Sequence, residues 1–424
     1  MGSTYYETPN IDGLADAGIV FTDAYSNAPN CAPSRASLLT GLYTPRHGVY
    51  TVGSPARGEA RLRKLIPAPN DTDLDSAFVT IAEALRDAGY ATGHFGKWHL
   101  GGHGGAPTDH GFDVNIAGDS VGQPPGYFFP YRRGGRELSG LAEGEEEEYL
   151  TDRLTDEALA FIETNRESAF FLYLSHYAVH TPLQGKPDLV DKYVGKPGTD
   201  VHHNPTYAAM IESVDESVGR VLAKLDDVGL TSNTVVFFHS DNGGYAPATS
   251  MKPLRGSKGM LYEGGIRVPL VVYWPRKIPS RVSDDTPVIG TDLYPTILEM
   301  IGVTPDPKVP LDGVSLYRLL VERQAIDPRP LFWHFPAYLE AYRGMESPWR
   351  TTPAAAIRVG QYKLIEWYED DRVELYDLEA DLEESRDLSE ELPEKTSELL
   401  DRLRRWQKDV SAAMPVPVEA TSNR

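Results

Sequence analysis

The sequence contains a single cysteine, Cys31, among its 424 residues. An intrachain disulfide is therefore excluded, and the fold cannot depend on one. Long apolar runs are also missing, since none reaches the ~18 residues of a membrane-spanning helix. The first residues contain neither the basic nor the apolar region of an export signal. We therefore expect no membrane span in the chain as printed, and the sequence assigns the protein to no compartment.

Positive charge is scarce as well. Lysine and arginine number 41 against 62 aspartate and glutamate residues, which gives a formal net charge of −21. Such a surface repels nucleic acids and anionic membranes, so we expect neither as a partner. An anionic substrate would need a local cluster of basic side chains to overcome the surrounding field.

Helical and extended segments alternate along the first 325 residues. A broad apolar stripe over 205–228 predicts a long helix, and continuous apolar runs at 234–238 and 268–274 predict strands covered on both faces. This alternation predicts an α/β fold with a large, mostly parallel or mixed sheet sandwiched by helices. Residues 1–325 would form this larger domain.

The pattern changes after residue 325. Alternating apolar residues around Gly360-Gln361 predict a hairpin, and a charged helix follows near 391–409. We therefore expect residues 326–424 to form a smaller C-terminal α+β subdomain with an antiparallel sheet.

Cys31 lies where a turn runs into a short helix. Pro33 suits the first position of that helix, and Gly41 suits its end. The N-terminus of a helix favours an anion or an anionic nucleophile. Arg35 follows four residues later, so in a helix its guanidinium can reach back over Cys31. On these residues alone, a small buried thiol beside a surface arginine is the ordinary alternative.

Basic side chains follow predicted strands, where open α/β sheets bind their ligands. Lys97 and His99 come after the strand over 90–95, and His180 comes after the strand over 170–174. Lys258 lies on a glycine-flanked loop. A lysine in such a place can hold an oxyanion, and a histidine can transfer a proton near neutral pH. Each residue by itself could also be an ordinary surface or structural side chain.

Asp241 and Asn242 follow the predicted strand over 234–238. Carboxylate and amide oxygens suit calcium or magnesium better than zinc, although an Asx turn explains the same residues. Together with the basic side chains they fit the cleavage of an anionic ester, because developing negative charge needs fixed positive partners.

The arrangement of these motifs resembles the type I (formylglycine-dependent) sulfatases of the alkaline phosphatase superfamily. The resemblance covers nearly the whole chain. Its most specific part is Cys31-Ala32-Pro33-Ser34-Arg35 followed by Thr40-Gly41. The motifs at 96–101, 180–182, 241–244 and 258–269 follow in the family's order.

The resemblance implies a mechanism. A dedicated maturation enzyme would oxidise Cys31 to formylglycine, whose hydrate attacks sulfur, takes up the sulfate and then expels it. Arg35 would hold this residue. Asp241, Asn242 and residue 31 would bind a divalent cation, usually Ca²⁺, with Mg²⁺ possible. The remaining implied roles concern four side chains: diol activation by His99, leaving-group protonation by His180, and sulfate binding by Lys97 and Lys258.

Family members also carry an Asp-Asp pair at the end of a first, central strand. We find no matching pair here, since Asp12 and Asp23 match other parts of the pattern. The printed chain would then lack the usual first strand, or would be a metal-poor, impaired member. The leading interpretation is a sulfuric ester hydrolase acting on a sulfated carbohydrate or aryl sulfate. The alternatives are a phosphodiester or phosphonate monoester hydrolase and a sulfated-glycan-binding protein without turnover.

Overall fold

The computed structural model describes residues 2–102, 104–305 and 308–418. Its helices are α1 (Pro9–Ala17), α2 (Cys31–Thr40), α3 (Thr44–His47), α4 (Ile81–Asp87), α5 (Leu150–Thr164), α6 (Pro187–Val194), α7 (Pro205–Asp227), α8 (Glu263–Ile266), α9 (Leu293–Met300), α10 (Tyr317–Glu322) and α11 (Pro393–Asp409). None of the helices in these ranges has the length and apolar character of a membrane span.

The strands fall into two groups along the chain, those before residue 325, which we call the first part, and those after it, the second part. Those of the first part are β1 (Ile19–Phe21), β2 (Ala24–Tyr25), β3 (Leu65–Ile66), β4 (Ala91–Gly96), β5 (Val114–Ile116), β6 (Arg132–Arg133), β7 (Arg136–Glu137), β8 (Phe170–Ser175), β9 (Val236–His239), β10 (Leu270–Tyr273), β11 (Val282–Asp284) and β12 (Val288–Ile289). Those of the second part are β13 (Leu331–Phe335), β14 (Leu339–Glu340), β15 (Trp349–Thr351), β16 (Ala354–Val359), β17 (Tyr362–Trp367), β18 (Arg372–Asp377) and β19 (Val416–Pro417).

Two sheets form the centre of the first part. One has the order β11-β1-β10-β9, in which β1 runs parallel to β11 and antiparallel to β10. The other has the order β5-β4-β8 and is parallel throughout. The predicted α/β class with a mixed sheet is confirmed, and the remaining strands of the first part lie in separate two-stranded pairs, β2 with β12, β3 with β19 and β6 with β7.

The strands β8 and β9 each end their sheet, and both line one cavity of about 1170 Å³. The prediction that the 234–238 run is covered on both faces is therefore wrong for the described residues, because β9 is only half-buried. A strand residue in a packed sheet occupies roughly 160 Å³, given the usual rise, strand spacing and layer spacing. The cavity could thus hold a strand of about seven residues. Whether the usual first strand is lacking remains a prediction.

Helix α2 begins at Cys31, two residues before the start that Pro33 predicts, and ends where predicted. Gly41 ends it in the left-handed conformation at φ 70°, where its N–H donates to the Ser37 carbonyl at 2.9 Å. A Cβ at Gly41 would lie only 2.7 Å from Leu311 Cδ2. Backbone conformation and close packing therefore both require glycine there.

Helix α4 starts later than its apolar spacing predicts. The spacing suggests a start near Ser76, whereas the helix begins at Ile81. Thr80 caps it: its hydroxyl accepts a hydrogen bond from the Glu83 N–H at 3.2 Å, and the Glu83 carboxylate accepts one from the Thr80 N–H at 2.8 Å. This reciprocal pair determines where the helix starts.

The C-terminal strands form the predicted antiparallel sheet, in the order β13-β16-β17-β18. Helix α11 buries Leu399 and Leu403 in the same apolar core. That core also includes Leu261 and Ile266 of the first part, so this sheet packs on the segment that follows Lys258. The domain boundary near residue 325 remains a prediction, and residues 419–424 of the predicted subdomain lie outside the described ranges.

A buried ionic cluster joins the two parts. Lys363 of β17 is fully buried, and its ammonium group lies 2.8 Å from Glu263 and 2.9 Å from Glu384. Burial would raise the pKa of Glu263, but Lys363 reverses this and holds that pKa below its usual value. The pKa of Glu384 is raised, first by burial and also by the charge of Glu263. Lys363 is therefore the cation that both carboxylates share, while Arg267, 3.3 Å from Glu263, pairs with that carboxylate as well.

We predict that Lys363→Met lowers the free energy of unfolding by about 3–5 kcal/mol near pH 8, because two buried carboxylates lose the cation that they share. Without Lys363 the pKa of Glu384, already raised in the folded protein, rises further above its unfolded value. The folded state then binds more protons, so the variant loses stability as pH rises. Urea unfolding at about pH 5.5 and about pH 8 measures this difference. The control is Lys395→Met, which removes an exposed pair with Glu398 and should cost less than about 1 kcal/mol. Equal losses in both variants would contradict the prediction.

Candidate active site

Cys31 is held in a rigid turn at the start of α2. Asn30 before it is extended, and its side-chain amide donates to Thr51 Oγ1 at 2.9 Å. The Ser34 hydroxyl accepts a hydrogen bond from the Ala28 N–H and donates one to the Ala28 carbonyl, both at 3.1 Å. Cys31 itself is only 1% exposed. The helix N-terminus and this turn therefore fix the position of its side chain.

His99 and Lys258 converge on Cys31. The His99 Nδ1 lies 3.4 Å from the Cys31 Sγ, and the Lys258 Nζ lies 4.0 Å from it. Burial would raise the pKa of the Cys31 thiol, but the charges of Lys258, Lys97 and His99 hold it well below its usual value. The surroundings of residue 31 thus stabilise negative charge.

His99 reaches this position through an unusual backbone. Its φ is 65°, in a region that is strained for residues other than glycine. Its N–H donates to the Asp119 carbonyl at 2.9 Å. Gly122 leaves room for the imidazole, since a Cβ there would lie 1.9 Å from His99 Nδ1. No sequence pattern that we used identifies Gly122 as part of the site.

Arg35 is buried, and its hydrogen bonds go to the backbone after β4. Its guanidinium donates to the carbonyl of Trp98 at 2.9 Å and to that of Lys97. One of its nitrogens lies 3.7 Å from Asp241 Oδ2. Arg35 thus forms a bridge from α2 to the segments that follow β4 and β9.

Lys97 and Asp241 form the second half of the site. The Lys97 N–H donates to the Ser175 carbonyl at 2.7 Å, which ties this segment to the end of β8. Its Nζ lies 3.8 Å from Asp241 Oδ2. Burial would raise the pKa of Asp241, but Lys97, Arg35 and Lys258 outweigh it and lower that pKa to about 2. Asp241 is therefore ionised throughout the physiological range.

His180 lines the same 310 Å³ cavity as Cys31, His99 and Lys258. Tyr127 fixes its backbone by donating to the His180 carbonyl at 2.9 Å. Burial, and then the charges of Lys258 and Lys97, lower the pKa of His180 to about 4. An anion bound between the lysines would offset their charges and favour the protonated imidazole. His180 can then donate a proton when such a substrate is present.

Asp241 and Asn242 together offer oxygen ligands at the end of β9. The Asn242 side-chain N–H donates to the Gly243 carbonyl at 2.9 Å. Its Oδ1 is buried and has no hydrogen-bond partner among the described residues. A buried oxygen without a donor, beside an ionised carboxylate, fits a hard cation such as Ca²⁺ or Mg²⁺.

The described ranges contain no group of three or more His, Cys, Asp or Glu residues placed to hold a metal ion. Asp23 is committed elsewhere, since it pairs with Arg267 and Arg358. Asp241 and Asn242 therefore stay the candidate ligands for a cation, as the sequence predicts.

The site as a whole combines a helix N-terminus, three buried or half-buried cations, two histidines and a candidate cation site in an α/β fold. Such a site suits a hydrolase that acts on anionic esters, because it can bind the ester, stabilise negative charge and protonate a leaving group.

Comparison with known proteins defines the family. The sulfatase family matches residues 1–303, and the C-terminal region of N-sulphoglucosamine sulphohydrolases matches residues 257–410. A sulfatase of Formosa agariphila is 35% identical, over 96% of this chain and 84% of that protein. The mouse N-acetylgalactosamine-6-sulfatase is 33% identical, over 86% of this chain and 68% of that protein. The chain belongs to the sulfatase family of the alkaline phosphatase superfamily and is a sulfatase enzyme.

The fold agrees with solved structures. The crystal structure of Ps i-CgsB in complex with k-i-k-neocarrahexaose superposes with a TM-score of 0.78 at 29% identity. That match covers 96% of this chain and 89% of the other.

We predict that Gly122→Ala lowers kcat/KM for an aryl sulfate at least about tenfold, because the added methyl group displaces the His99 ring from Cys31. The control is Gly102→Ala, whose Cβ would lie 3.5 Å from Ser120 in ordinary contact. It should keep near-normal activity. Steady-state assays and thermal melts of both variants measure the effect. Normal activity of Gly122→Ala would show that the His99 position is not required.

Proposed function

We propose that the protein hydrolyses a sulfate ester of a sugar, with residue 31 as the nucleophile after conversion of Cys31 to formylglycine by a maturation enzyme. One observation carries this proposal: Lys258 and His99 converge on a buried residue at a helix N-terminus, inside a protein of net charge −21. Local positive charge in an acidic protein indicates an anionic substrate.

The relatives support a sugar as the carrier of the sulfate. One of them is named for N-acetylgalactosamine 6-sulfate, and one solved structure contains a carrahexaose. The cavity above Cys31 measures 310 Å³, at the lower end of the range for small-molecule sites. It fits one sugar ring with its sulfate better than a long buried substrate.

Each side chain has a task in this reaction. The hydrated aldehyde at residue 31 supplies one hydroxyl to attack sulfur and a second whose deprotonation releases sulfate. Lys97 and Lys258 bind sulfate oxygens and stabilise their charge. His180 protonates the sugar oxygen as it leaves, and His99 removes the proton from residue 31. Arg35 holds the segments that carry Lys97 and Asp241 in place.

The cation proposed here is Ca²⁺, with Mg²⁺ as the alternative. Asp241, the unpartnered Asn242 Oδ1 and residue 31 would hold it, and its charge would stabilise negative charge on residue 31 and on sulfate. Asp241 suits this role because the pKa of its carboxyl, at about 2, keeps it ionised.

A second candidate is binding of a sulfated glycan without turnover. The specific observation in its favour is that the described residues provide few acidic ligands for a cation. Weak cation binding would leave the cationic pocket intact while slowing the chemistry.

Sulfate release separates these candidates. The protein is coexpressed with a formylglycine-generating enzyme and assayed on sulfated monosaccharides, an aryl sulfate and an aryl phosphodiester, with calcium and with a chelator. We expect sulfate release that falls on chelation. Binding without release at full conversion of residue 31 would favour the glycan-binding alternative, and preferential cleavage of the phosphodiester would favour the phosphodiesterase or phosphonate hydrolase alternative.

We predict that Lys97→Ala and Lys258→Ala each lower kcat/KM for an aryl sulfate by about 10²–10³-fold, because each removes a charge that stabilises the transition state. Lys252→Ala is the matched control, since Lys252 is an exposed lysine on the segment before Lys258. It should retain activity within about twofold. An equal loss in all three variants would point to a general electrostatic effect rather than to direct contact.

A further inference from the structure

The cavity above Cys31 has a second group of cations at its wall. Besides Cys31 and Lys258 it is lined by Arg57, from a loop of the first part, and by Arg350 and Tyr342, from the second. Arg350 lies on β15, which pairs with β14 in a two-stranded ribbon. The ribbon therefore brings residues far apart in sequence to the nucleophile.

Arg350 is fixed to the loop that carries Lys258. Its Cζ lies 4.2 Å from the ring centre of Tyr342, and the Tyr342 hydroxyl donates to the Lys258 carbonyl at 3.2 Å. A Cβ on Gly259 would lie 2.9 Å from Arg350 Nε, so only glycine allows this approach. The guanidinium is thus held next to the residue that follows the sulfate-binding lysine.

One polar atom of Arg350 has no partner among the described residues of the protein. Its Nε is buried and has no hydrogen-bond partner within the part of the chain that the structure describes. A buried donor without an acceptor costs free energy that a bound ligand oxygen would recover. The contact with Tyr342 accounts for the orientation of the guanidinium but leaves its Nε without an acceptor.

Arg57 lies close enough to Arg350 for the two positive charges to repel each other. Burial lowers the pKa of Arg57, the carboxylate of Glu340 opposes this, and Arg350 lowers it further. Glu340, 3.1 Å from the Arg57 Nε, is half-exposed and therefore screened by solvent. The cavity wall thus carries two guanidinium groups, and one carboxylate lies beside them. The net charge of the three groups is positive.

We propose that Arg57 and Arg350 form a subsite for a second anionic group of the substrate, a sulfate ester or a carboxylate carried by the same sugar or its neighbour. The inference rests on the proposed function, because it places the scissile sulfate at residue 31. Arginine suits this task, since its planar fork can bind two oxygens of such a group. The preferred substrate is then a polyanionic sugar rather than one that carries a single sulfate.

The test compares substrates that differ in one anionic group. The probes are N-acetylgalactosamine 6-sulfate, the 4,6-disulfate, a uronate-linked disaccharide of the 6-sulfate, the corresponding galactose sulfates and an aryl sulfate. We expect wild-type kcat/KM to be at least about tenfold higher for a sugar with a second anionic group. The disulfate and uronate arms show whether that group is sulfate or carboxylate. Equal kcat/KM across the panel would overturn the proposal.

Variants locate the effect. In Arg350→Gln and Arg57→Gln we expect kcat/KM for the preferred dianionic sugar to fall about 10–100-fold, and for the aryl sulfate by less than about threefold. Arg343→Gln is the matched control, because Arg343 is an exposed arginine between β14 and β15. Equal losses on both substrates, or no loss on either, would contradict the subsite.

Binding measurements keep this test separate from turnover. In a Cys31→Ala background, calorimetry compares the Kd of the same mono- and dianionic sugars, with and without Arg350→Gln. We expect Arg350→Gln to weaken the dianionic sugar at least about tenfold and to spare the monoanionic one. If the wild-type protein releases no sulfate while this difference persists, the proposed function fails and the subsite stands. If the difference is absent, the subsite fails whatever the activity.

Discussion

The guanidinium of Arg35 is the contact on which the site depends. It extends from α2, donates to two backbone carbonyls after β4 and lies beside Asp241 after β9. Three segments that are distant in sequence therefore share one buried cation. A single planar, permanently charged group can satisfy several acceptors at fixed angles, which a lysine cannot do. The relative positions of Cys31, Lys97 and Asp241 follow from this bridge.

A second buried cation connects the site to the C-terminal sheet. Lys363 of β17 pairs with Glu263 of α8 and with Glu384, and α8 follows the loop that carries Lys258. The second part therefore contributes to the site in two ways. Its ion pairs hold α8, which follows the Lys258 loop, and its β14–β15 ribbon adds Tyr342 and Arg350 to the cavity wall.

Local sequence patterns predicted the elements that depend on near neighbours. The end of α2 at Gly41, the long helix α7 and the hairpin around Gly360 all follow from periodicity and capping residues. The roles of Lys258 and His99 beside Cys31 were expected from the resemblance of the motifs, since Lys258 lies on a loop and not at the end of a strand. Local pattern was enough for the elements but not for the meeting of these side chains.

Features that depend on tertiary contacts were not predictable in this way. Arg57 and Arg350 carry no spacing that relates them, and they meet because the loop of Arg57 packs on the β14–β15 ribbon, with Gly58 against Trp349 and Arg57 beside Glu340. Gly122 matters because of the His99 ring beside it, which no local pattern reveals. The run over 234–238 reads as a fully covered strand, yet β9 borders a cavity, because strand coverage depends on what packs against the strand and not on its composition.

The central claim is that residue 31, in its converted form, performs the chemistry. The most direct measurement is peptide mass spectrometry across residue 31 on a series of preparations with different degrees of conversion, each assayed for sulfate release. Our account predicts that specific activity rises in proportion to the fraction of residue 31 present as formylglycine and extrapolates to zero for the thiol. Full activity in a preparation whose residue 31 is an unmodified cysteine would contradict it.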